Sequence, residues 1–274
     1  MSEPAVAGRT VSQVLAGATS VLAAAGCDTP RLDAEVLLGA ALGVDRARLV
    51  IDADVRLEPS VITRFEALVA RREAREPVAY IVGHKDFRRI RLLVDRRVLI
   101  PRPETELLVE VGLSLPSGAR VADVGTGSGA VALALASERP DLHVVGVDVD
   151  PDALVVAREN GARLGVAVEF VLADLLDGVP GRFDAVLANL PYVASGVDLP
   201  PEIGLYEPAV ALFSGPVGLD LTERLLATAA EVPLVALEVG LAECVASLAR
   251  EAGFPSVAIL NDLAGHERVV VARR

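Results

Sequence analysis

Val121-Ala122-Asp123-Val124-Gly125-Thr126-Gly127-Ser128-Gly129-Ala130 decides the fold. It starts as a short apolar strand, turns through three glycines and runs into a helical segment, Val131–Ser137. Glycines at such a turn permit tight backbone geometry and close approach of a ligand. Outward from this stretch the same alternation repeats. Apolar runs fall at Val144–Val147, Val168–Leu172, Ala185–Ala188, Leu234–Val239 and Val257–Leu260. Amphipathic segments separate them at Pro151–Leu164, Leu219–Ala230 and Leu241–Ala252. Alternating strands and helices predict an α/β class chain with a doubly wound, mostly parallel sheet. Val257–Leu260 and Val269–Val271 are too close for a helical crossover, so the sheet is expected to end in an antiparallel hairpin.

Acidic residues at strand ends narrow the ligand. Gly125-x-Gly127-x-x-Ala130 satisfies the dinucleotide fingerprint, so NAD is one reading. Asp123 stands just before the loop, where a carboxylate can face a cation. Asp148 ends the second strand, 19 residues beyond Gly129, and can accept from two ribose hydroxyls. Asp150 is a weaker candidate for the same task. Asp174 ends the third strand and can reach an adenine amine, with Leu175 packing on the ring. Three features favour S-adenosylmethionine (SAM) over NAD: Asp123 before the loop, Asp174 at an adenine contact, and a sheet that ends in a hairpin, similar to SAM methyltransferases. The expected sheet resembles the Rossmann-like sheet of class I SAM methyltransferases, with Asp123, Gly125, Thr126, Gly127, Ser128, Gly129, Asp148, Asp174, Leu175 and Asn189 at the cofactor.

Asn189-Leu190-Pro191-Tyr192 follows the strand Ala185–Ala188. Ligands of open α/β sheets bind at such strand ends. The Asn189 side-chain carbonyl is an acceptor. Leu190 precedes a proline and is driven towards an extended conformation, which projects its backbone carbonyl beside that oxygen. Two adjacent acceptors suit an NH₂ group, and Tyr192 can cover the planar group that carries it. Asn189, Leu190, Pro191 and Tyr192 are the candidate catalytic residues. An ordinary strand-to-loop turn is the plainer reading of the same four residues.

The 274 residues have room for two domains. Thr10 to Gln13 has capping-box form, and Val11, Val14, Leu15, Ala18, Val21 and Leu22 keep helical spacing behind it. Pro30 opens a second helix with Leu32, Val36, Leu37 and Ala40 on one side. Asp45–Ile51 and Pro59–Glu76 complete a small helical domain over residues 1–83, with a loose tail at 1–9. Val78–Gly83 leads in period-two fashion to Phe87 and Ile90–Val94, which predicts a hairpin connector over 84–102. Pro103 opens the remaining domain, 103–274, with a helix carrying Leu107, Leu108 and Val111.

Net charge is −12, a poor match to nucleic-acid phosphates. Arg71, Arg72, Arg75, Lys85, Arg88, Arg89, Arg91, Arg96 and Arg97 nevertheless concentrate positive charge before residue 100. Such a run reads first as a solvated face and second as a docking face. Two cysteines without a CxxC spell neither a disulfide framework nor a zinc site. The scattered histidines, the absence of a P-loop and the absence of a nucleophile elbow give other chemistries little support, and no metal is expected. With neither a leader segment nor a membrane-length apolar run, a cytoplasmic setting is expected.

The motifs together resemble the SAM-dependent release-factor glutamine methyltransferases, the HemK/PrmC family, from about residue 10 to the C-terminus. Ile100-Pro101-Arg102-Pro103-Glu104-Thr105-Glu106 is the most specific match. Glu76–Gly83, Asp123–Gly129, Asp184–Tyr192, Tyr206-Glu207-Pro208, Gly218-Leu219-Asp220, Leu237-Glu238-Val239-Gly240 and Asp262-Leu263-Ala264-Gly265 follow it. One departure is Leu190, where the family usually has proline. The resemblance implies methyl transfer from SAM to the glutamine amide of the Gly-Gly-Gln motif in peptide-chain release factors. The helical domain would dock that substrate, the enzyme would be a monomer, and no stable nucleic-acid partner is expected. An NLPY-like tetrad is also similar to that of rRNA adenine dimethyltransferases, so adenine amino-methylation of RNA or DNA is the alternative. A non-catalytic SAM-binding protein is a third reading.

Overall fold

The computed structural model describes residues 8–274, so most of the expected tail over 1–9 lies outside the described residues. The chain forms two units: residues up to Gly83 together with 200–206, and residues 84–199 together with 207–274.

The first unit is helical. Its elements are α1 (Val11–Ala24), α2 (Pro30–Leu42), α3 (Arg46–Ile51), α4 (Pro59–Glu73), α5 (Val78–Val82) and, from the later excursion, the single turn α9 (Pro201–Gly204). The Thr10 capping box forms in full: the Gln13 N–H donates to the Thr10 hydroxyl and the Thr10 N–H donates to Gln13 Oε1. Val11, Val14, Leu15, Ala18 and Leu22 are buried, while Val21 is exposed. The buried face of α2 is rotated from the expected one. Ala34, Leu37, Leu38 and Ala41 are buried with Asp33, and Leu32 and Ala40 are exposed. The cause is an ion pair: Arg72 Nε donates to Asp33 Oδ2 at 2.7 Å, and both side chains are buried. A charged pair thus occupies inward positions that an apolar pattern assigns to the surface.

Glu202, from α9, meets Arg75 at 2.7 Å and Arg72 at 2.9 Å. The Tyr206 hydroxyl donates to the Ala74 carbonyl at 2.6 Å. Segment 200–206, expected within the sheet domain, is therefore held among the helices. Arg72→Ala leaves Asp33 buried without its cation. We expect a loss of about 3 kcal/mol, read by urea denaturation. A loss under about 1 kcal/mol would show that the network is only a surface-like pairing.

Val78–Val82 is a helical turn rather than the start of a hairpin. Pro77 precedes it and Gly83, at φ +76°, ends it in the left-handed region. The two-stranded hairpin is β1 (His84–Phe87) and β2 (Ile90–Leu93), paired from His84↔Leu93 to Phe87↔Ile90. It is part of the second unit, where the Leu93 N–H donates to Asn160 Oδ1 at 2.7 Å and Asn160 Nδ2 donates to the Leu93 carbonyl at 3.0 Å. Arg88 at its tip pairs with Glu138 and Glu110. The basic run does not form a continuous cationic face. Arg71 pairs with Glu76, Arg91 with Asp86 and Arg97 with Asp95, besides the partners of Arg72, Arg75 and Arg88 already given.

The rest of the second unit is a seven-stranded sheet with helices α6 (Glu106–Leu113), α7 (Ala130–Glu138), α8 (Pro151–Leu164), α10 (Asp220–Thr228) and α11 (Ala242–Glu251). Its strands are β3 (Arg120–Val124), β4 (His143–Asp148), β5 (Glu169–Leu172), β6 (Ala185–Ala188), β7 (Leu234–Glu238), β8 (Ser256–Asn261) and β9 (Glu267–Arg273). The order is β5-β4-β3-β6-β7-β9-β8. Strands β3 to β7 pair in parallel, and β9 inserts antiparallel to both β7 and β8. Apolar side chains from both sheet faces form cores with the flanking helices, as an all-buried parallel sheet requires. The strand order reverses between β3 and β6, and the crevice at such a switch is where α/β sheets bind ligands.

Candidate active site

Parallel register lines up the expected site residues. Val124 pairs with Val147 on one side and with Ala188 on the other, and Ala188 pairs with Leu237. One step further, Gly125, Asp148, Asn189 and Glu238 stand in one row across the carboxyl edge of the sheet. A cavity of about 350 Å³ opens there. Its lining includes the loop from Asp123 to Ser128 with Ala130, then Asp148 and Asp150, Asp174 and Leu175, and Asn189 to Pro191. Gly129 and Tyr192 are not part of the lining.

The loop owes its path to glycine. Gly125, Gly127 and Gly129 have φ of +75°, +54° and +81°. A Cβ on Gly125 would stand 3.1 Å from Leu190 Cδ2 and 3.4 Å from the Asn189 carbonyl oxygen. The Leu190 side chain is therefore buried against the glycine loop, and residue 190 can offer a ligand its backbone.

Asp123 is 2 % exposed. Its Oδ2 accepts from the Thr126 hydroxyl at 2.7 Å and the Ala132 N–H at 3.0 Å. Burial pushes its pKa up to about 6 against those two bonds. Asp148 Oδ2 accepts from the Gly127 N–H at 2.8 Å, and Oδ1 from the Asp150 N–H at 3.0 Å. Each oxygen keeps a lone pair for a further donor. Burial raises its pKa, and the backbone bonds oppose that rise. Asp150 caps α8 by accepting from the Asp152 N–H at 2.9 Å. Asp174 Oδ2 accepts from Arg224 Nη2 at 2.8 Å, which leaves Oδ1 for another partner.

Asn189 Nδ2 donates to the Thr105 hydroxyl at 3.1 Å. Among the described residues no donor is paired with Oδ1. The amide is thus held by its nitrogen end, with its acceptor end uncommitted. Thr105 comes from the Ile100–Glu106 stretch. Glu207 ties that stretch to the Tyr206-Glu207-Pro208 loop by accepting from the Ile100 N–H at 3.4 Å and from Arg102. Beyond Tyr192, the Val193 N–H donates to Leu212 at 2.9 Å and the Ser214 N–H to Val193 at 3.0 Å, which brings Phe213 to the cavity. Gly240 gives Tyr192 room: a Cβ there would stand 3.2 Å from Tyr192 Cδ2. The roles of Thr105, Phe213 and Arg224 were not foreseen from sequence. Thr105 and Phe213 stand in stretches that carry the family resemblance, whereas Arg224 left no local signal.

The PrmC N-terminal domain model matches residues 13–83, and the methyltransferase small domain model matches residues 103–201. The release factor glutamine methyltransferase of Cereibacter sphaeroides is 44 % identical over 273 residues, 96 % of this chain and 98 % of that protein. The chain belongs to the release factor glutamine methyltransferase family. The family member from Mycolicibacterium smegmatis is 40 % identical over 269 residues, 94 % of this chain and 95 % of that protein. Among solved structures, the hMettl16 catalytic domain in complex with a MAT2A 3′UTR hairpin superposes at TM-score 0.56 with 15 % identity, over 75 % of this chain and 81 % of that one. A T. Thermophilus 16S rRNA methyltransferase in complex with AdoMet and guanosine gives TM-score 0.50 with 19 % identity, over 70 % of this chain and 49 % of that one. At these identities the structures show a shared fold.

SAM is the cofactor of the release factor glutamine methyltransferase family. The donor set here fits it. The glycine loop lets a ligand reach the backbone, Asp148 keeps lone pairs for hydroxyls, and Asp174 keeps one oxygen for an amine.

Glu238, beside Asn189 in the row, is 4 % exposed, and among the described residues its Oε2 has no hydrogen-bond partner. Burial pushes its pKa up to about 7, opposed first by the neighbouring Thr105 hydroxyl. The folded protein therefore holds a proton on Glu238 that the unfolded chain releases between pH 4.5 and about 7. Stability from this group is full below that window and is lost as pH rises through it, by roughly 3 kcal/mol. Glu238→Gln should melt with wild type at low pH and above it at pH 8. Parallel melting curves across this range would refute the burial cost.

Proposed function

We propose that this chain methylates the side-chain amide nitrogen of the glutamine in the Gly-Gly-Gln motif of peptide-chain release factors. The observation that carries the reading is the Asn189 amide, pinned at Nδ2 by Thr105 with Oδ1 uncommitted at the cavity. Near full-length similarity to family members, the helical region included, supports the protein substrate.

A glutamine amide nitrogen is a weak nucleophile because its lone pair is delocalised into the carbonyl. Asn189 Oδ1 and the Leu190 carbonyl accept its two hydrogens, which holds the nitrogen in place and favours its pyramidal form. Its lone pair then points along the axis of transfer. The gain comes from orientation and preorganised dipoles. When bound, SAM supplies an electrophilic methyl group on a sulfonium. Asp148 would hold its ribose and Asp174 its adenine amine, with Leu175 beside the ring. Asp123 and the glycine loop would hold the remaining, cationic part. An N-protonated amide is a strong acid, so the surplus proton passes to water without a dedicated base. The helical unit docks the release factor. A monomer suffices because one chain supplies every site group, and the substrate implies the cytoplasm.

Incubation of the enzyme and SAM with purified release factor, followed by mass spectrometry of the Gly-Gly-Gln peptide, tests this. One methyl on the glutamine is expected. An unmodified glutamine alongside methylated RNA or DNA would replace the reading with adenine amino-methylation, which the paired arginines disfavour.

A further inference from the structure

The methyl-transfer reading uses Asn189 but does not explain what decides which end of its amide faces the substrate. An asparagine amide is nearly symmetric in shape, and the reverse orientation would present NH₂ to the acceptor amide and repel it. The Thr105 hydroxyl has one hydrogen to donate. If that hydrogen turned towards Asn189, the hydroxyl would bind Oδ1 and the orientation would reverse. Something has to take the Thr105 hydrogen elsewhere.

Glu238 stands where that acceptor is needed. It ends β7, one step past the Ala188↔Leu237 pair, so it leaves the sheet next to Asn189. It is buried, it is absent from the cavity lining, its Oε2 has no hydrogen-bond partner among the described residues, and the buried Thr105 hydroxyl is a neighbour that favours its charged form. We propose that Glu238 is a positioning residue: as a carboxylate it takes the Thr105 hydrogen, leaves Thr105 only a lone pair for Asn189 Nδ2, and so commits Asn189 Oδ1 to the substrate. Carboxylate is the side-chain form that accepts and never donates. A neutral Glu238, or glutamine at 238, can donate to Thr105 and releases the hydroxyl to turn.

The same arrangement makes the orientation depend on pH. The charged and titratable groups around Glu238 are Glu104 and Arg102 before α6, Arg268 on β9, and Tyr192. Burial and Glu104 favour the neutral form, while Thr105, Arg268 and Arg102 favour the carboxylate. The balance places the transition near pH 7.

The inference rests on the Asn189 reading, and the test separates the two. Methyl transfer by wild type, Glu238→Gln, Thr105→Val, Thr105→Ser and Asn189→Ala is measured from pH 6 to 9. SAM affinity is measured by calorimetry on each. In wild type, kcat should rise with pH through a limb near 7. Glu238→Gln and Thr105→Val should lose about 100-fold in kcat and flatten that limb, with KM for release factor and SAM affinity little changed. Thr105→Ser, which keeps the hydroxyl, should keep both the limb and most of the rate. Retention of the acid limb or of full kcat in Glu238→Gln, with Asn189→Ala inactive, overturns the Glu238 inference alone. If Glu238→Gln does not fold, the Thr105 pair decides: equal loss in serine and valine variants overturns it. Near-normal turnover by Asn189→Ala overturns both readings.

Discussion

We expect Asn189→Ala to abolish methyl transfer, by at least about 100-fold in kcat, while SAM affinity stays within a few-fold of wild type. The asymmetry follows from where the side chain is tied. Its nitrogen end binds Thr105, a protein group, and its oxygen end is uncommitted at the cavity. The backbone of residue 189 lies against Gly125, so alanine keeps the loop contact that shapes the cofactor pocket. What disappears is one of two acceptors for the incoming NH₂. The remaining acceptor, the Leu190 carbonyl, holds one hydrogen and leaves the nitrogen free to rotate back into conjugation. Calorimetry with SAM beside a radiolabelled methyl assay gives both numbers. Turnover near wild type would remove Asn189 from the chemistry.

Asp148→Ala should produce the complementary pattern, a loss of SAM affinity of about 100-fold. Two effects act together. On the proposed assignment the ribose hydroxyls would lose a charged acceptor, and the N–H groups of Gly127 and Asp150 lose theirs. The second effect loosens the glycine loop itself, so the affinity loss exceeds that of a single hydrogen bond. Asp148→Asn keeps one acceptor oxygen and should fall between, at roughly tenfold. The readout is the dissociation constant from calorimetry. Unchanged affinity in the alanine variant would sink the ribose assignment, whatever happened to turnover.

The sheet was legible because its signals are local. Each strand is an apolar run closed by a turn residue, and eight residues between the last two runs leave antiparallel pairing as the only connection. The candidate site was legible to the extent that strand ends announce it: Asp148, Asp174 and Asn189 all stand at the carboxyl edge of a parallel strand. What escaped depends on contacts distant in sequence. The burial of Asp33 requires Arg72, 39 residues on, and Glu202, so no window on α2 alone reveals it. Val78–Val82 is too short for period-two and helical patterns to differ, and Pro77 and Gly83 decide in favour of a turn of helix. Thr105 and Glu238 look like ordinary motif members until a hydrogen bond from Asn189 Nδ2 and the register of β6 and β7, respectively, set them beside Asn189. The departure at Leu190 also becomes readable only in three dimensions, because its side chain packs on Gly125 and its carbonyl is the part left to act.

Glu202 and Tyr206 have a consequence for how the molecule is made. The helical unit takes its last ion-pair and hydrogen-bond partners from residues that follow β6 in the chain. During synthesis at about 5–20 residues per second, its first 83 residues emerge well before that closing segment exists. Arg72 and Arg75 then lack Glu202 until the ribosome has passed most of the sheet. The nascent helices mature only after β3 to β6 have left the exit tunnel, so neither unit is finished as an independent N- or C-terminal block. A single cut at residue 83 yields a helical fragment without Glu202 and a sheet fragment bearing an orphaned 200–206 strap.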